Sequence, residues 1–204
     1  ATLPFGLHGK IESVRNTSTN VGRLLCAAIR RSTRADAAIF NSGSIRASIG
    51  PGEVTKGDLL AALPYGNFAV TVRMKGSDLL RALNHGLAQP NEGGFPQFYG
   101  LRVTARETKT FGANGAIIRR CRAEAGEVGD YPLDPDEDYT IAINDFMYEG
   151  GDGYKAFSKY PSQTHQTVEE ILRDYLAQAD PEGLSEINQD DVLAIIVEEP
   201  AAAK

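Results

Sequence analysis

The stretch FAVTVRMKGSDLLRALNHGL, residues 68–87, changes its hydrophobic period in mid-course, and that change decides the class of fold. Phe68, Val70, Val72 and Met74 alternate with Ala69, Thr71 and Arg73, the two-residue period of a half-buried strand. From Gly76-Ser77, read as a cap, the period lengthens, and Leu79, Leu80, Leu83 and Leu87 share one stripe of a helix.

The same two signatures recur on either side. Upstream, NVGRLLCAAIRR (20–31) puts Val21, Leu24, Leu25 and Ala28 on one helical face, with Arg30 and Arg31 suited to the negative end of the helix dipole. AAIF (37–40) is a short strand running into the loop NSGSIR (41–46), and Thr55 with Asp58 forms a capping box before the helix DLLAAL, which Pro64 ends. Downstream, QPNEGGFPQFYG (89–100) reads as a Gly/Pro-rich loop, and GLRVTA (100–105), IIRRCRAE (117–124) and YTIAI (139–143) as strands separated by turn-rich, exposed segments at 112–116 and 126–138. The last of these strands delivers the loop NDFMYEGGDGY (144–154). Thr167 and Glu170 form a second capping box, ahead of a helix with Val168, Ile171, Leu172, Tyr175, Leu176 and Ala179 on its apolar stripe. VLAIIV (192–197) is apolar enough for a strand covered on both faces, while residues 1–9 and 198–204 read as flexible ends. No internal repeat is visible. Strands and helices are interspersed, but the long turns do not fit a regular βαβ array. The expected class is a single α+β, layered α/β domain over residues 1–204.

Composition narrows the function. With 21 Lys+Arg against 27 Asp+Glu the chain carries a formal charge of −6, the wrong sign for a nucleic-acid polyanion as partner. No run approaches the ~18 apolar residues of a membrane span, and ATLPFGLHGK (1–10) has neither the basic nor the apolar region of a signal peptide. A 204-residue chain buries roughly 70% of its unfolded surface, so it needs no metal or disulfide staple. Cys26 and Cys121 fit one disulfide or two buried free thiols equally well, and Asn16-Thr17-Ser18 is the one glycosylation-type match.

Catalytic motifs are scarce. The histidines are His8, His85 and His165, none within helical reach of another, so a self-contained catalytic metal centre is not expected. No nucleophile elbow, phosphate-binding P-loop or dinucleotide fingerprint occurs. What remains are two polar, glycine-bearing loops that each follow a strand, Asn41–Arg46 and Asn144–Tyr154. From composition alone they fit plain turns as well as the walls of a small-molecule cleft.

Six strings in consistent order, TNVGRLL, NSGSIR, TKGDLLAALPYGN, VRMKGSDLLRAL, GGFPQFYGLRV and INDFMYEGGDGY, resemble the C-terminal domain of the 5'-nucleotidase and UDP-sugar hydrolase family over roughly residues 10–180. The resemblance implies a layered α/β/β/α domain that grips a nucleoside or nucleotide. An N-terminal metallophosphatase domain, absent from this sequence, would hold two divalent metal ions such as Zn or Mn and perform the hydrolysis. Extracellular, periplasmic or cell-surface placement is implied in the same way.

The resemblance also assigns a substrate-binding set. Tyr65 and Phe146 match the two aromatics that sandwich the base, Tyr65 standing where Phe is frequent. Asn41 matches the asparagine that hydrogen-bonds the base edge, and Asp152 the carboxylate that accepts from the ribose hydroxyls. Arg46 and Arg15 match arginines near ribose and phosphate. The resemblance assigns no catalytic or metal-binding residue to this chain. Two rival readings are a scaffold domain without hydrolase context, and a chemistry of its own using Asp145, Asp152 and His85 as acid/base groups.

Overall fold

The computed structural model of the protein describes residues 1–111, 117–190 and 192–198. In chain order the elements are β1 (Thr2–Leu3), α1 (Ile11–Val14), α2 (Asn20–Thr33), β2 (Ala37–Asn41), β3 (Gly52–Glu53), α3 (Lys56–Ala62), β4 (Phe68–Lys75), α4 (Gly76–Leu87) and β5 (Pro96–Tyr99). There follow β6 (Leu101–Phe111), β7 (Ile117–Val128), β8 (Tyr131–Pro132), β9 (Asp138–Asn144), α5 (Asp145–Tyr148), β10 (Ser162–Thr167), α6 (Val168–Gln178), α7 (Pro181–Gln189) and β11 (Leu193–Glu198).

A five-stranded mixed sheet ordered β10-β4-β9-β2-β5 organises the rest. Its β2 and β9 run parallel, and the other pairs are antiparallel. Ala38, Phe40, Ala69 and Ala142 on one face pack against the apolar stripes of α2, α3, α6 and α7. On the other face Ile39, Val70, Val72, Met74, Ile141 and Ile143 share a core with Leu79, Leu83 and Leu87 of α4 and with Val103, Ala105 and Cys121 of a second sheet, ordered β11-β6-β7-β8. The layered α+β class follows from these two cores, one on each face of the central sheet.

Local signals behave as the sequence predicts. Both capping boxes form, Thr55 with Asp58 and Thr167 with Glu170, and Thr19 caps α2 by accepting from the Gly22 amide. One local signal does not hold: Gly76 and Ser77, expected as the cap, lie inside the first turn of α4, whose N-cap is Lys75.

Where the chain departs from expectation, long-range packing is the cause. Strand β4 lies between two cores and is buried on both faces over 69–72, while Phe68 at its start is 45% exposed and Arg73 and Lys75 near its end are exposed as well. The end of the expected loop 89–100 is strand β5, an edge strand on β2 that tolerates Pro96 at its first residue. Strand β11 is a sheet edge, parallel to β6; Val192 and Leu193 are buried, but Ile196 and Val197 are about half exposed, so the run is not covered on both faces. Residues 1–9 are not a loose end: β1 pairs with β3, Leu7 bridges Ile49, and Leu3 and Leu7 are buried. The hydrophobic gain of burying two leucines, about 1.5–3 kcal/mol each, anchors that segment. The turn expected at 112–116 and the tail 199–204 lie outside the described residues. Helix α7, unread from sequence, begins with Asp180 as N-cap and Pro181 in its first turn. No helix among the described residues is long and apolar enough to cross a membrane.

Cys26 and Cys121 are both buried, and they form no disulfide with each other. Burial pushes the Cys26 thiol far above the ordinary range, so the nucleophilic thiolate is not populated. Cys26 should therefore resist iodoacetamide in the folded protein and react after denaturation, a difference that peptide mass spectrometry reads directly.

Candidate functional site

The parallel strands β2 and β9 end within one residue of each other in register, at Asn41 and Asn144. In open α/β sheets the crevice beyond the carboxyl ends of parallel strands is the usual ligand site. Here the two loops leaving those ends are tied together. Asn144 caps α5 by accepting from the Met147 amide at 2.8 Å, and its Nδ2 donates to Asn41 Oδ1 at 2.9 Å. Ser44 Oγ donates to the same Asn41 oxygen at 2.8 Å, and Asn41 Nδ2 donates to Asp152 Oδ2 at 2.7 Å. A cavity of about 450 Å³ opens above this chain, within the range of small-molecule sites.

Five of the six residues expected from sequence line this cavity: Arg15, Asn41, Tyr65, Phe146 and Asp152. Arg46 does not; its Nη1 turns back to the Gly43 carbonyl at 3.4 Å. Asn67, Ser44 and Glu92 also line it, and sequence reading passed over them. Asn67 stood two residues after Tyr65 in LPYGN and was readable as a carboxamide close to an aromatic. Glu92 had no signal beyond its place in a glycine-rich loop.

The two rings are exposed where apolar groups would ordinarily be buried, Tyr65 by 59% and Phe146 by 41%. Among the described residues neither pairs with another aromatic ring. Their segments are joined through Asp145, whose Oδ1 accepts from Asn67 Nδ2 at 2.8 Å and from the Phe146 amide at 2.9 Å. That role places Asp145 in the scaffold of the site. Behind Phe146 lies Gly151, where an added Cβ would come 2.4 Å from the ring, so only glycine lets the loop pass. Tyr154, two residues after Asp152, is fully buried and donates to the Gly94 carbonyl at 2.7 Å. Burial, and then the charge of Asp152, push its phenol well above the ordinary range, so it remains a donor.

Arg15 is held by its backbone. Gln97, fully buried on β5, donates to the carbonyls of Val14 and Thr17 and accepts from the amide and hydroxyl of Thr19. The Arg15 Nη1 donates to the Asn91 carbonyl at 3.2 Å, while its buried Nε has no hydrogen-bond partner. A buried donor without a partner costs about 1–3 kcal/mol, a cost that an anionic ligand oxygen would remove.

Residues 2–159 match the family model described as the 5'-nucleotidase C-terminal domain. The chain belongs to that family. Over 181 residues, 85% of the chain, it is 32% identical to a 5'-nucleotidase of Vibrio cholerae, and over 179 residues, 86% of the chain, 32% identical to protein UshA of Escherichia coli. It spans about 30% of the length of each of those relatives. The crystal structure of a 5'-nucleotidase precursor from Thermus thermophilus superposes with a TM-score of 0.80 at 27% identity, covering 98% of this chain and 39% of that one. In this 5'-nucleotidase C-terminal domain, no group of three or more His, Cys, Asp or Glu among the described residues is placed to hold a metal ion. The residues present do not fit a two-metal centre.

Asn41 offers a test of the network. It is 2% exposed and faces the Asp152 carboxylate. Asn41→Asp would set two carboxyls against each other, raising the folded-state pKa of the pair above its unfolded value. Stability is then retained at low pH and lost as pH rises. Urea denaturation should show the variant close to wild type near pH ~4 and weaker by about 2 kcal/mol or more near pH ~8.

Proposed function

We propose that this chain is the nucleoside- or nucleotide-recognition domain of a metal-dependent 5'-nucleotidase-type phosphohydrolase, acting on nucleoside 5'-phosphates or related nucleotides. The two divalent ions would sit in a separate N-terminal metallophosphatase domain and supply the activated water and charge stabilisation for hydrolysis. The observation that carries the reading is the pair of exposed rings, Tyr65 and Phe146, turned into one cavity with Asp152 and Arg15.

Each group has a chemical part. The rings stack on a base, an interaction of about 1–3 kcal/mol that tolerates many bases because all have a π face. Asp152 uses Oδ2 to accept from Asn41, leaving Oδ1 for a ribose hydroxyl. The buried, unpaired Nε of Arg15 suits an oxyanion, and so does Arg46 once its guanidinium leaves the weak contact with Gly43. Asn41 already accepts twice on Oδ1 and donates once, so one Nδ2 hydrogen is what it can offer a base edge. Asn67 has its amide on Asp145 and a carboxamide oxygen that can serve the ligand. Because the chain is acidic overall, a phosphate must be met by these local arginines rather than by a general field. The domain contributes affinity and orientation, and so accelerates the parent reaction by positioning. By the same family resemblance we propose that this parent works in the periplasm, outside the cell or at the cell surface.

Titration with adenosine and AMP, followed by tyrosine fluorescence in this tryptophan-free chain, tests the reading. Saturable binding is expected, and Phe146→Ala should weaken it by roughly 5- to 150-fold, the equivalent of one lost stacking contact, without lowering the melting temperature. A folded chain that shows no saturable binding up to several millimolar would sink the proposal in favour of a scaffold role. Phosphate release from AMP by the chain alone, with Mn²⁺ or Zn²⁺ added, should stay at background; metal-dependent turnover by pure protein would refute the division of labour.

A further inference from the structure

We infer that His85 is a positioning residue for Asp152: through the Asp152 carbonyl it holds the sugar-facing carboxylate in place. The inference rests on the nucleoside reading above and deepens it.

Asp152 has φ 52° and ψ 20°, left-handed backbone that a side-chain-bearing residue adopts at a cost unless its surroundings hold it. It is held at both ends. Asn41 fixes the carboxylate, and His85 Nε2 lies 2.8 Å from the backbone carbonyl oxygen. A carbonyl only accepts, so a hydrogen bond here needs the proton on His85 Nε2; the Gln89 amide nitrogen, 2.9 Å from the same ring nitrogen, then gives its own hydrogens to neighbouring carbonyls. Gln89, one turn further along, donates to the same carbonyl at 3.3 Å and to the His85 carbonyl at 3.2 Å, which orients the pair.

The loop is moulded to the ring. Gly153, at φ 81°, passes so close that an added Cβ would stand 2.9 Å from the imidazole Cε1. The next residue, Tyr154, meets the ring edge-on, with centroids 4.9 Å apart and planes at 76°. Residues 152, 153 and 154 thus rest in succession on one imidazole. That imidazole projects from α4, a helix fixed in the second core by Leu79, Leu83 and Leu87. On its other side the ring forms part of the wall of a separate cavity of about 870 Å³, between α4 and β6–β7. His85 therefore lines that cavity and also meets the loop, and its polar contact with the loop falls on the residue bearing the sugar-facing carboxylate.

Ligand selectivity separates positioning from mere packing. His85→Phe keeps a ring against Tyr154 and removes the donor; His85→Gln can restore one. For His85→Phe we expect adenosine affinity to fall by about 3- to 10-fold, the loss of one hydrogen bond's worth of order, while a dideoxyadenosine lacking both ribose hydroxyls changes by less than about twofold. His85→Gln should recover part of the adenosine affinity, and in an Asp152→Asn background His85→Phe should have no further effect. His85→Ala is carried through the same cycle, so the outcome does not depend on one variant folding. Unchanged adenosine affinity in both variants, or equal losses for the two ligands, overturns the inference while leaving the nucleoside reading intact. A wild-type protein that binds neither ligand overturns that reading itself.

Discussion

A buried carboxamide chain at the ends of two parallel strands is the constraint on which this site depends. Asn144 and Asn41 sit side by side in the sheet, and each is satisfied by the other, by a helix amide, by Ser44 and by Asp152. In a low-dielectric setting such a network is firm only when complete, because every orphaned member costs about as much as the network gains per bond. The arrangement therefore transmits the geometry of the central sheet outward to one carboxylate. It also explains why Asp152 can keep a left-handed backbone in a loop otherwise punctuated by Gly150, Gly151 and Gly153.

Around that rigid floor the ligand-facing groups are left deliberately unsatisfied. Two aromatic rings are exposed, an arginine Nε is buried without a partner, and one carboxylate oxygen is free of the network. Each is a cost in the unliganded domain that a nucleoside or nucleotide would relieve. Sites commonly concentrate such local costs, while the surrounding cores, here one on each face of the sheet, supply the stability. Under the proposed division of labour the chemistry falls to a companion domain, and the scarcity of histidine in this chain is then intelligible.

How much of this was legible beforehand depended on the range of the interaction. The strand-to-helix switch at 68–87, both capping boxes and the helical stripes were readable, since they involve partners three or four residues apart. Strand β5 was not, because Gly and Pro disguise an edge strand whose partner β2 lies more than fifty residues earlier. The apolar run at 192–197 gave its conformation but not its exposure, because what covers a strand is decided by the elements beside it. Leu3 and Leu7 looked dispensable at a chain end and are core residues.

At the site the division is similar. By itself the sequence determined which residue types could recognise a nucleoside, and family resemblance picked out Arg15, Asn41, Tyr65, Phe146 and Asp152, which the fold does bring to one cavity. Only the tertiary structure decided how they share the work: that Asn41 is mostly engaged by its neighbours, that Arg46 rests on the Gly43 carbonyl instead of lining the cavity, and that His85 stands behind Asp152. The physical reason is distance along the chain. The contacts of Asn41 with Asp152 and Asn144, and of His85 with Asp152, join residues 67 to 111 positions apart, and a side chain's free valences are known only once such partners have closed on it.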